Sequence, residues 1–405
     1  MKILVQKFGG TSVATPEVRE QVVGQIAKAK EQGYSVVVVV SAMGRTGDPY
    51  ATDTLIGLLR SIGREVPPQE LDLIMSCGEL ISAAVLTQTL NVNGHEATAF
   101  TGARAGIITD DNFGSARILR VEPQKVIEAL QKGKIAVVAG FQGRTEDWEV
   151  TTLGRGGSDT TATALGAALK AELVEIYTDV DGIMTADPRL VPDAKSLRVI
   201  TYQEVLEMAH LGAKVIHPRA VEIAMSERIP VKIKSTFLDG PGTLISDEST
   251  PQRGLEEAGR PVTGIAYVDG VAQIKVRTQE DFNHGLGLEV FQAMADANIS
   301  VDLINVSPEL ISFIVAESLA EKAGMALEKL PVEVEVNPGF AKISAVGVGM
   351  RGVPGVMAKV VEALTEADIH IAQTTDSHTS ISCLVRHEDL ARATQALHSK
   401  FGLGQ

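Results

Sequence analysis

Short apolar runs alternate with helical segments through roughly the first 245 residues, and this alternation constrains the fold more than any other feature. Val36–Val40 is an unbroken valine run, which is typical of a strand buried on both faces of a parallel sheet. The strand candidates are Ser35–Ser41, which contains that run, Ala97–Thr101, Ala136–Gly140, Val174–Thr178 and Val231–Lys234. Helical segments lie between them, for example Pro16–Gln32, Val121–Lys132 and Thr160–Leu169. This order predicts a mostly parallel sheet covered by helices on both faces.

Length, charge and cysteine content narrow the class of protein. A chain of 405 residues predicts two or three domains. The net charge of −14 and the pI near 5.1 argue against nucleic acid or an acidic membrane as a partner. Cys77 and Cys383 lack metal-ligand spacing, which favours a reducing cytoplasm. The longest apolar run is too short to cross a bilayer, and Met1–Leu4 leads directly into a strand without room for a signal peptide.

The last third of the chain repeats itself after a polar stretch, Asp247–Pro261, which we interpret as a linker. Val290–Val301 aligns without gaps on Val360–Ile371, and the register continues beyond both segments. Each copy reads as strand, helix, strand, strand, helix, and two copies predict two small domains rather than a solenoid. Either the copies bind a ligand or they form a duplicated structural module without one.

A glycine-rich segment, Lys7–Ser12, directly follows the first strand. Glycines let backbone N–H groups turn toward an anion, and the lysine supplies a point charge for it. The lysine precedes the glycines, so this is not a Walker A loop. On composition alone, an ordinary turn from strand to helix remains open.

Two further segments carry chemically useful groups. Ser41–Gly44, followed by Thr52 and Asp53, lies at the end of the valine strand, where ligands bind in open α/β sheets. Ser76–Ser82 contains Glu79 behind a glycine, at what we predict to be a helix start. That carboxylate is either a helix cap or the acceptor for a substrate ammonium group.

The segment Thr152–Thr161 has the most specific pattern, with three glycines around Arg155 at the start of a helix. Ser158 can cap the helix, the exposed N–H groups form an anion site, and Arg155 is suited to bidentate binding of a carboxylate. Asp159 cannot help an anion, so we expect it to orient a lysine or hold a metal. With Lys7 and Glu79 the segment predicts a site that holds an amino acid by both ends.

Acidic turns and a late lysine complete the set. Tyr177–Ile183 and Thr185–Arg189 contain acids that either bind Mg²⁺ or stabilise the turn. Gly212–Ala220 adds Lys214 and Arg219, and Lys214 is either a solvated charge or a nucleotide contact. Gly347–Gly352 fits G-x-G-x-x-G, but the span is one copy of the repeat and leaves no room for a dinucleotide-binding domain.

These segments resemble, in order and spacing, the successive motifs of the aspartokinases. The resemblance implies an α/β amino acid kinase fold over residues 1–247, with a three-layer αβα architecture and a mostly parallel sheet. Two α+β ferredoxin-like ACT domains would follow over 262–336 and 341–405, and in this family the second can be threaded into the first. Gly47–Asp53 and Asp376–Thr379 resemble the Bacillus-type, diaminopimelate-sensitive members. Where the second copy has Val353-Pro354-Gly355, the first has His284-Gly285-Leu286-Gly287, so we expect unequal effector binding.

The resemblance also assigns roles to residues. Lys7 and Asp159 would be catalytic, with Asp159 orienting Lys7. Aspartate would be bound by Ser41, Thr52, Glu79, Arg155, Gly156 and Ser158. ATP would be bound by Lys7, Phe8, Gly9, Gly10, Thr11, Thr178, Asp179, Ile183, Met184, Thr185, Ala186, Asp187, Pro188, Arg189 and Lys214. An amino-acid effector would be bound by Asn298, Asp302, Asn305, Val353, Pro354, Gly355, Asp368, Asp376, Ser377, His378 and Thr379.

The implied reaction is phosphoryl transfer from ATP, assisted by Mg²⁺, to the β-carboxylate of L-aspartate. The resemblance implies no metal site made by the protein alone, a cytoplasmic homodimer, and feedback control by lysine, threonine or diaminopimelate. Two alternatives stay open on sequence alone: a related kinase acting on glutamate, and a catalytically inactive amino-acid sensor.

Overall fold

The computed structural model describes residues 1–63, 65–213, 215–247, 260–278, 285–307, 309–350 and 352–405. Its chain divides into two compact units. The first comprises residues 1–183, 196–209 and 214–253, and the second comprises residues 184–195, 210–213 and 254–405. The units therefore do not follow chain order, because two short segments from the predicted kinase domain belong to the second unit.

The first unit contains the alternating elements that the sequence predicts. Its strands are β1 Ile3–Phe8, β2 Ser35–Val40, β3 Ala97–Phe100, β4 Ile107–Thr109, β5 Ile118–Val121, β6 Ile135–Ala139, β7 Gln142–Arg144, β8 Val150–Thr152, β9 Leu173–Thr178, β10 Val199–Thr201, β11 Val231–Ser235 and β12 Thr243–Ser246. Its helices are α1 Pro16–Glu31, α2 Thr52–Ile62, α3 Pro68–Val92, α4 Gln124–Gln131, α5 Gly157–Leu169, α6 Tyr202–His210 and α7 Pro218–Ser226.

In the described part of this unit, eight strands form one sheet in the order β10-β12-β11-β9-β1-β2-β6-β3. All neighbours pair in parallel except β11 and β12. Phe8 of β1 lies opposite Val40 of β2 and Tyr177 of β9. The ends of these three strands therefore meet at one edge, and the loops that follow them converge there.

The valine strand is central and buried on both faces, as predicted. Val36 to Val40 are each at most 1% exposed. On one face, Val22 and Ile26 of α1 pack with Leu4 and Phe8 of β1. α5 contacts β1 from the other face. A strand with a helix layer on each side has no solvated face, which explains why its side chains do not alternate in polarity.

A second, four-stranded sheet in the described residues has the order β5-β4-β7-β8, and α3 contacts its strand β8. α3 is long and apolar enough to cross a membrane by length and composition. Leu86 and Leu90 of α3 are fully buried against the main sheet, and Asp72 and Glu79 are also buried. We interpret α3 as a core helix, because its buried acids contact other parts of the same unit.

The second unit contains two copies of the predicted order of elements. The first copy has β13 Gly264–Thr278, α8 Leu286–Asp296, β14 Asp302–Val306, β15 Leu310–Ala316 and α9 Ala320–Leu327. The second has β16 Val332–Val346, α10 Val356–Glu366, β17 Gln373–Asp376, β18 Ser380–Arg386 and α11 Leu390–Lys400. Their described strands form one sheet in the order β14-β15-β13-β16-β18-β17.

The two copies share their long strands. Ile265, at the start of β13, packs in the same core as Ile343 and Leu364 of the second copy. Ile274, further along β13, packs with the first copy, whose core is completed by Val334 from the start of β16. Each long strand therefore serves both cores, so a linear cut between the copies would divide both of them.

The segment Met184–Lys195 is built into this unit. Ala186 and Val191 are buried in the core that contains Ile343. Thr185 Oγ1 lies 2.9 Å from Nε2 of His398 on α11.

The first glycine of the G-x-G-x-x-G pattern, Gly347, has a structural role in the second unit. A Cβ at Gly347 would lie 2.3 Å from the carbonyl oxygen of Pro261, so the two backbone segments approach too closely for a side chain.

Candidate active site

A nearly buried ion pair lies at the edge where β1, β2 and β9 end. Lys7 Nζ is 2.7 Å from Oδ1 of Asp159, and each side chain is 12% exposed. Alternation along β1 turns Gln6 and Phe8 toward α1 and therefore turns Lys7 toward α5. Asp159 is the third residue of α5, so the ammonium group lies beside the helix N-terminus, where backbone N–H groups favour an anion.

The loop before α5 has a fixed backbone shape. Gly156 has φ +68°, and a Cβ there would lie 2.2 Å from the side chain of His217. Both facts require glycine at this position. Burial lowers the pKa of His217, so its imidazole is neutral near neutral pH and packs on the loop without adding a charge. Arg155 is exposed and makes no hydrogen bond to the described residues, which leaves its guanidinium free for a ligand.

The lysine loop and the loop after β2 touch. A Cβ at Gly10 would lie 2.6 Å from the carbonyl oxygen of Ala42, and the Gly44 N–H donates to the Gly10 carbonyl at 3.1 Å. The Ser41 N–H donates to the Phe8 carbonyl at 3.1 Å. Gly9 and Thr11 belong to this same turn, which a short 3₁₀ helix, Gly10–Ser12, continues. Gly10 is therefore required for close backbone approach.

Glu79 lies in the middle of α3, not at a helix start as the sequence suggested. The helix begins earlier, at Pro68, because the apolar pattern extends upstream of the glycine. Gly78 lets α3 approach the loop: a Cβ there would lie 2.7 Å from Cβ of Ala42. The helix-cap interpretation of Glu79 is thus wrong, and a carboxylate facing the loop remains.

Only one of the two carboxylate oxygens of Glu79 has a hydrogen-bond partner among the described residues. Its side chain is 3% exposed, and Oε1 accepts a hydrogen bond from the Ala42 N–H at 3.1 Å. Oε2 is buried and has no hydrogen-bond partner in the described part of the chain. Burial raises the pKa of Glu79 to about 8 and outweighs the backbone hydrogen bonds, which lower it. A ligand cation would satisfy the free oxygen.

Two residues that the sequence analysis did not place in the site hold its loops. Asp72 is fully buried one heptad before Glu79, and it accepts hydrogen bonds from the Gly114 N–H at 3.0 Å, the Thr152 N–H at 2.7 Å and the Thr152 hydroxyl at 2.8 Å. Arg219 of α7 donates to the Leu153 carbonyl at 3.2 Å. An acid on the apolar helix one heptad from Glu79 was the available signal.

The residues expected to bind ATP fall in both units. In the first, Thr178 ends β9 and donates to Asp179, which also pairs with Arg45 at 3.1 Å. The Ile183 N–H donates to the hydroxyl of Thr243 at 2.9 Å. Phe8 stacks on Tyr177 at 4.6 Å between ring centroids, facing away from Lys7.

The remaining nucleotide candidates, Met184 to Arg189, belong to the second unit. Asp187 accepts a hydrogen bond from the Tyr267 hydroxyl at 3.0 Å, and its pKa is lowered, chiefly by the hydrogen bonds from Arg189. Pro188 lies between Asp187 and Arg189 in the chain. Lys214 lies outside the described residues. Thr52 is the first residue of α2, and Ser158 is buried in the first turn of α5.

The expected effector residues all belong to the second unit. Asn298 and Asp368 occupy equivalent positions after α8 and α10, with φ of +54° and +53°. The helices begin differently: Gly285 before α8 is right-handed, whereas Gly355 before α10 has φ +87°. The other candidates lie on strands or turns: Asp302, which pairs with Lys342, Asn305 in β14, the exposed Val353 and Pro354, Asp376 at the end of β17, and the turn of Ser377, His378 and Thr379.

No group of three or more His, Cys, Asp or Glu side chains with the geometry of a metal site occurs among the described residues. A divalent cation that arrives with nucleotide phosphates needs only one or two protein carboxylates. The donor set of this edge is therefore compatible with a nucleotide-borne cation but not with a protein cage.

Comparison with known proteins gives matches over the whole chain. The amino acid kinase family matches residues 2–235, and the ACT domain matches residues 335–399. Aspartokinase 1 of Bacillus subtilis is 49% identical over 405 residues, with 100% of each chain covered. The aspartokinase of Mycolicibacterium smegmatis is 42% identical, with 100% of this chain and 97% of that protein covered.

A solved structure agrees with this. The crystal structure of Escherichia coli aspartokinase III in complex with lysine and aspartate superposes with a TM-score of 0.80 at 27% identity. The match covers 99% of this chain and 100% of that one. Sequence and structure comparisons therefore agree on a single family for the full length.

Proposed function

Because the chain belongs to the aspartokinase family, we propose a chemical role for each side chain that lies near Lys7. The protein is an ATP-dependent phosphotransferase: it transfers the γ-phosphoryl group of ATP to the β-carboxylate of L-aspartate and yields ADP and 4-phospho-L-aspartate. This is the first step toward lysine, threonine, methionine and diaminopimelate, and the ACT domains subject it to feedback control.

The ion pair between Lys7 and Asp159 carries the proposal for catalysis. Lys7 stabilises the charge on the transferring phosphoryl group, and Asp159 holds its ammonium group in place at the helix N-terminus. The backbone of Phe8, Gly9, Gly10 and Thr11 contributes N–H groups to the phosphates. Since the pair is nearly buried, the lysine is positioned before substrate arrives and does not have to be ordered during the reaction.

Aspartate is held by its α-ammonium and α-carboxylate groups. Glu79 receives the α-ammonium group on its free oxygen, and the exposed Arg155 takes the α-carboxylate. Ser41, Thr52, Gly156 and Ser158 line the same ligand. This leaves the β-carboxylate directed toward the phosphoryl group, and the distance from the α-carbon to the phosphoryl group selects aspartate over glutamate, whose side chain is one CH₂ longer.

No general base is needed, because the attacking carboxylate has an ordinary pKa of about 3.9 and is ionised at neutral pH. We propose that Mg²⁺ enters on the ATP phosphates, where it neutralises charge. The nucleotide-binding roles of Thr178, Asp179, Ile183, Met184 to Arg189 and Lys214 stay predictions from the family resemblance. The chain's own contribution is to orient the two substrates and to exclude water from the reacting groups.

Lys7→Ala tests the catalytic role. We expect kcat to fall by a factor of about 10³ or more with little change in the KM for aspartate, because the lysine acts in the transition state. The measurement is an aspartyl hydroxamate assay, and Lys28→Ala, an exposed lysine on α1, is the matched control. A change in KM alone would contradict the catalytic role of Lys7. Turnover of glutamate in place of aspartate would contradict the proposed binding of aspartate by Glu79 and Arg155.

For regulation, we propose that an end-product amino acid binds the second unit at the effector residues, more tightly in the second copy. The left-handed helix start at Gly355, absent at Gly285, supports the inequality. Adding lysine, threonine or diaminopimelate singly to the assay identifies the effector. If none of them inhibits, the effector assignment is wrong.

We also propose a cytoplasmic homodimer. Ile304 and Val306 on the edge strand β14 are 49% and 52% exposed, and an apolar edge of this kind invites a partner strand. Light scattering on the full chain, with Ile304→Lys as the disrupting variant, tests the association. A monomer at micromolar concentration would contradict it.

A further inference from the structure

A second cleft lies on the outer strands of the main sheet. Its volume is about 560 Å³, which is the size of a small-molecule site. Tyr34 and Glu172 line it where β2 and β9 begin, whereas the proposed active site is where these strands end. The two sites therefore lie at opposite edges of the same sheet.

The cleft also faces the opposite side of the sheet from Lys7. Lys232 of β11 lines it and lies opposite Glu175 of β9 in the strand register. Glu175 accepts a hydrogen bond from Gln6 at 2.8 Å, and Gln6 is the neighbour of Lys7 on β1. Because consecutive residues of a strand point to opposite faces, Lys232 lies on the face turned away from Lys7. A ligand here would leave the substrates in place.

The cleft offers positive charge without counter-charge. Arg198 and Lys232 both line it, and neither side chain has an ion pair or hydrogen bond with the described residues. The acid in the lining, Glu172, is engaged by Lys2 at 3.3 Å. In a chain with a net charge of −14, two uncompensated cations in one concave site favour an anion.

A buried hydroxyl adds a polar group to the same site. Ser246 lines the cleft, is 5% exposed, and its Oγ has no hydrogen-bond partner in the described part of the chain. Buried hydroxyls are almost always hydrogen-bonded, so an unpartnered one next to a cavity is available to donate to a ligand there. Val199, Leu244 and Pro230 supply apolar walls around these polar groups.

We propose that this cleft binds a small organic anion, with a carboxylate or phosphate group held by Arg198 and Lys232 and an apolar body against Leu244. The charged group lies within reach of the Ser246 hydroxyl, which donates to it. The site does not depend on the roles proposed for Lys7 or Glu79, since it shares no residue with them.

Benzoate and phenyl phosphate are the probes, because each joins a compact apolar ring to one of the two anionic groups. Calorimetric titration of the full-length protein should give saturable binding of at least one probe with a Kd of about 1 mM or tighter. The better probe identifies the anionic group. Lys7→Ala should bind it unchanged.

The double variant Arg198→Ala/Lys232→Ala should weaken binding at least about tenfold, since hydrogen bonds to charged groups are lost. Lys125→Ala/Lys134→Ala removes the same charge from positions of the same unit that do not line the cleft and should bind like the wild type. Leu244→Trp fills the cleft with the cations intact and should also abolish binding. Aspartokinase activity without probe should be unchanged in the Arg198/Lys232 variant.

The proposal is overturned if neither probe binds saturably to the wild type, if the Lys125/Lys134 control weakens binding as much as the cleft variant, or if Lys7→Ala abolishes it. Thermal melting of each variant accompanies the titration. If the double variant melts early, the Leu244→Trp result decides between a lost site and a lost fold.

Discussion

Two stretches of α3, one heptad apart, each bury an acid, and they treat it in opposite ways. Asp72 receives three hydrogen bonds from the backbone and side chain of two other segments. Glu79 receives one, and its second oxygen has none in the described chain. A buried carboxylate with hydrogen bonds to both oxygens stabilises the fold. A buried carboxylate oxygen without a partner is useful only when a ligand binds to it. The same helix thus holds the site together at one point and leaves it open at another.

The largest expected effect is at the satisfied acid. Asp72→Ala would leave three buried donors without an acceptor and should lower the free energy of unfolding by about 4 kcal/mol. Urea denaturation of the full chain measures it. Glu70→Ala, at an exposed acid of the same helix, is the control and should change stability little. A loss below about 1 kcal/mol would mean that Asp72 is not a structural centre.

Glu79→Gln should raise the free energy of unfolding, whereas Asp72→Ala lowers it. The glutamine amide keeps an acceptor for the Ala42 N–H and removes a buried acid whose pKa is raised to about 8. We expect the free energy of unfolding at neutral pH to rise by about 2 kcal/mol while the KM for aspartate increases about 100-fold. The two readouts come from denaturation and steady-state kinetics. Lower stability with unchanged KM would make Glu79 structural, like Asp72.

The pH dependence sharpens the contrast further. Because the folded pKa of Glu79 is raised above the unfolded value of 4.5, its contribution to stability is greatest at low pH and is lost as pH rises toward 8. Aspartate binding runs the other way, since the ammonium group needs the carboxylate. Affinity should increase about tenfold per pH unit up to about pH 8, measured by titration calorimetry. Glu79→Gln should remove this slope, and a slope that persists in the variant must have another source.

The smallest expected effect comes from removing one of the hydrogen bonds to Asp72. Thr152→Val removes the hydroxyl that donates to Asp72 but keeps the backbone N–H and the shape of the side chain. Stability should fall by about 1 kcal/mol, with kcat and KM nearly unchanged. Thr151→Val, whose hydroxyl bonds to Thr109 instead, is the neighbouring comparison. A large loss of activity from Thr152→Val would place this hydroxyl in the catalytic machinery.

The sequence predicted the parts of the molecule that are local. The valine strand, the helix start at Pro16 and the repeated order of the second unit were recognised because each is set by residues close in the chain. The start of α5 was placed too late, because Gly156 is its N-cap and Ser158 lies inside the helix. Glu79 was noticed because it follows Gly78, but its position within a long helix was not predicted. Gly78 was interpreted as a helix boundary, whereas it allows α3 to approach Ala42 closely.

What the sequence could not predict depends on distant partners. An acid on an apolar helix marks Asp72 as unusual, but its hydrogen-bond partners lie 42 and 80 positions away, and no local pattern identifies them. Arg219 was noticed as a cation, but its contact with the Leu153 carbonyl depends on the packing of α7 beside α5. The raised pKa of Glu79 likewise follows from burial, which composition does not specify.

The path of the segment Met184–Lys195 has a consequence for dissecting the protein. Ala186 and Val191 complete a core whose other members come from the last third of the chain. A fragment that starts after residue 260 would lack them and would expose the apolar surface that they cover. A fragment that stops near residue 247 would carry them as an unpaired apolar loop. We therefore expect either linear half to lose apolar contacts that this loop makes in the whole chain, so domain swaps between relatives should exchange the loop together with the C-terminal region.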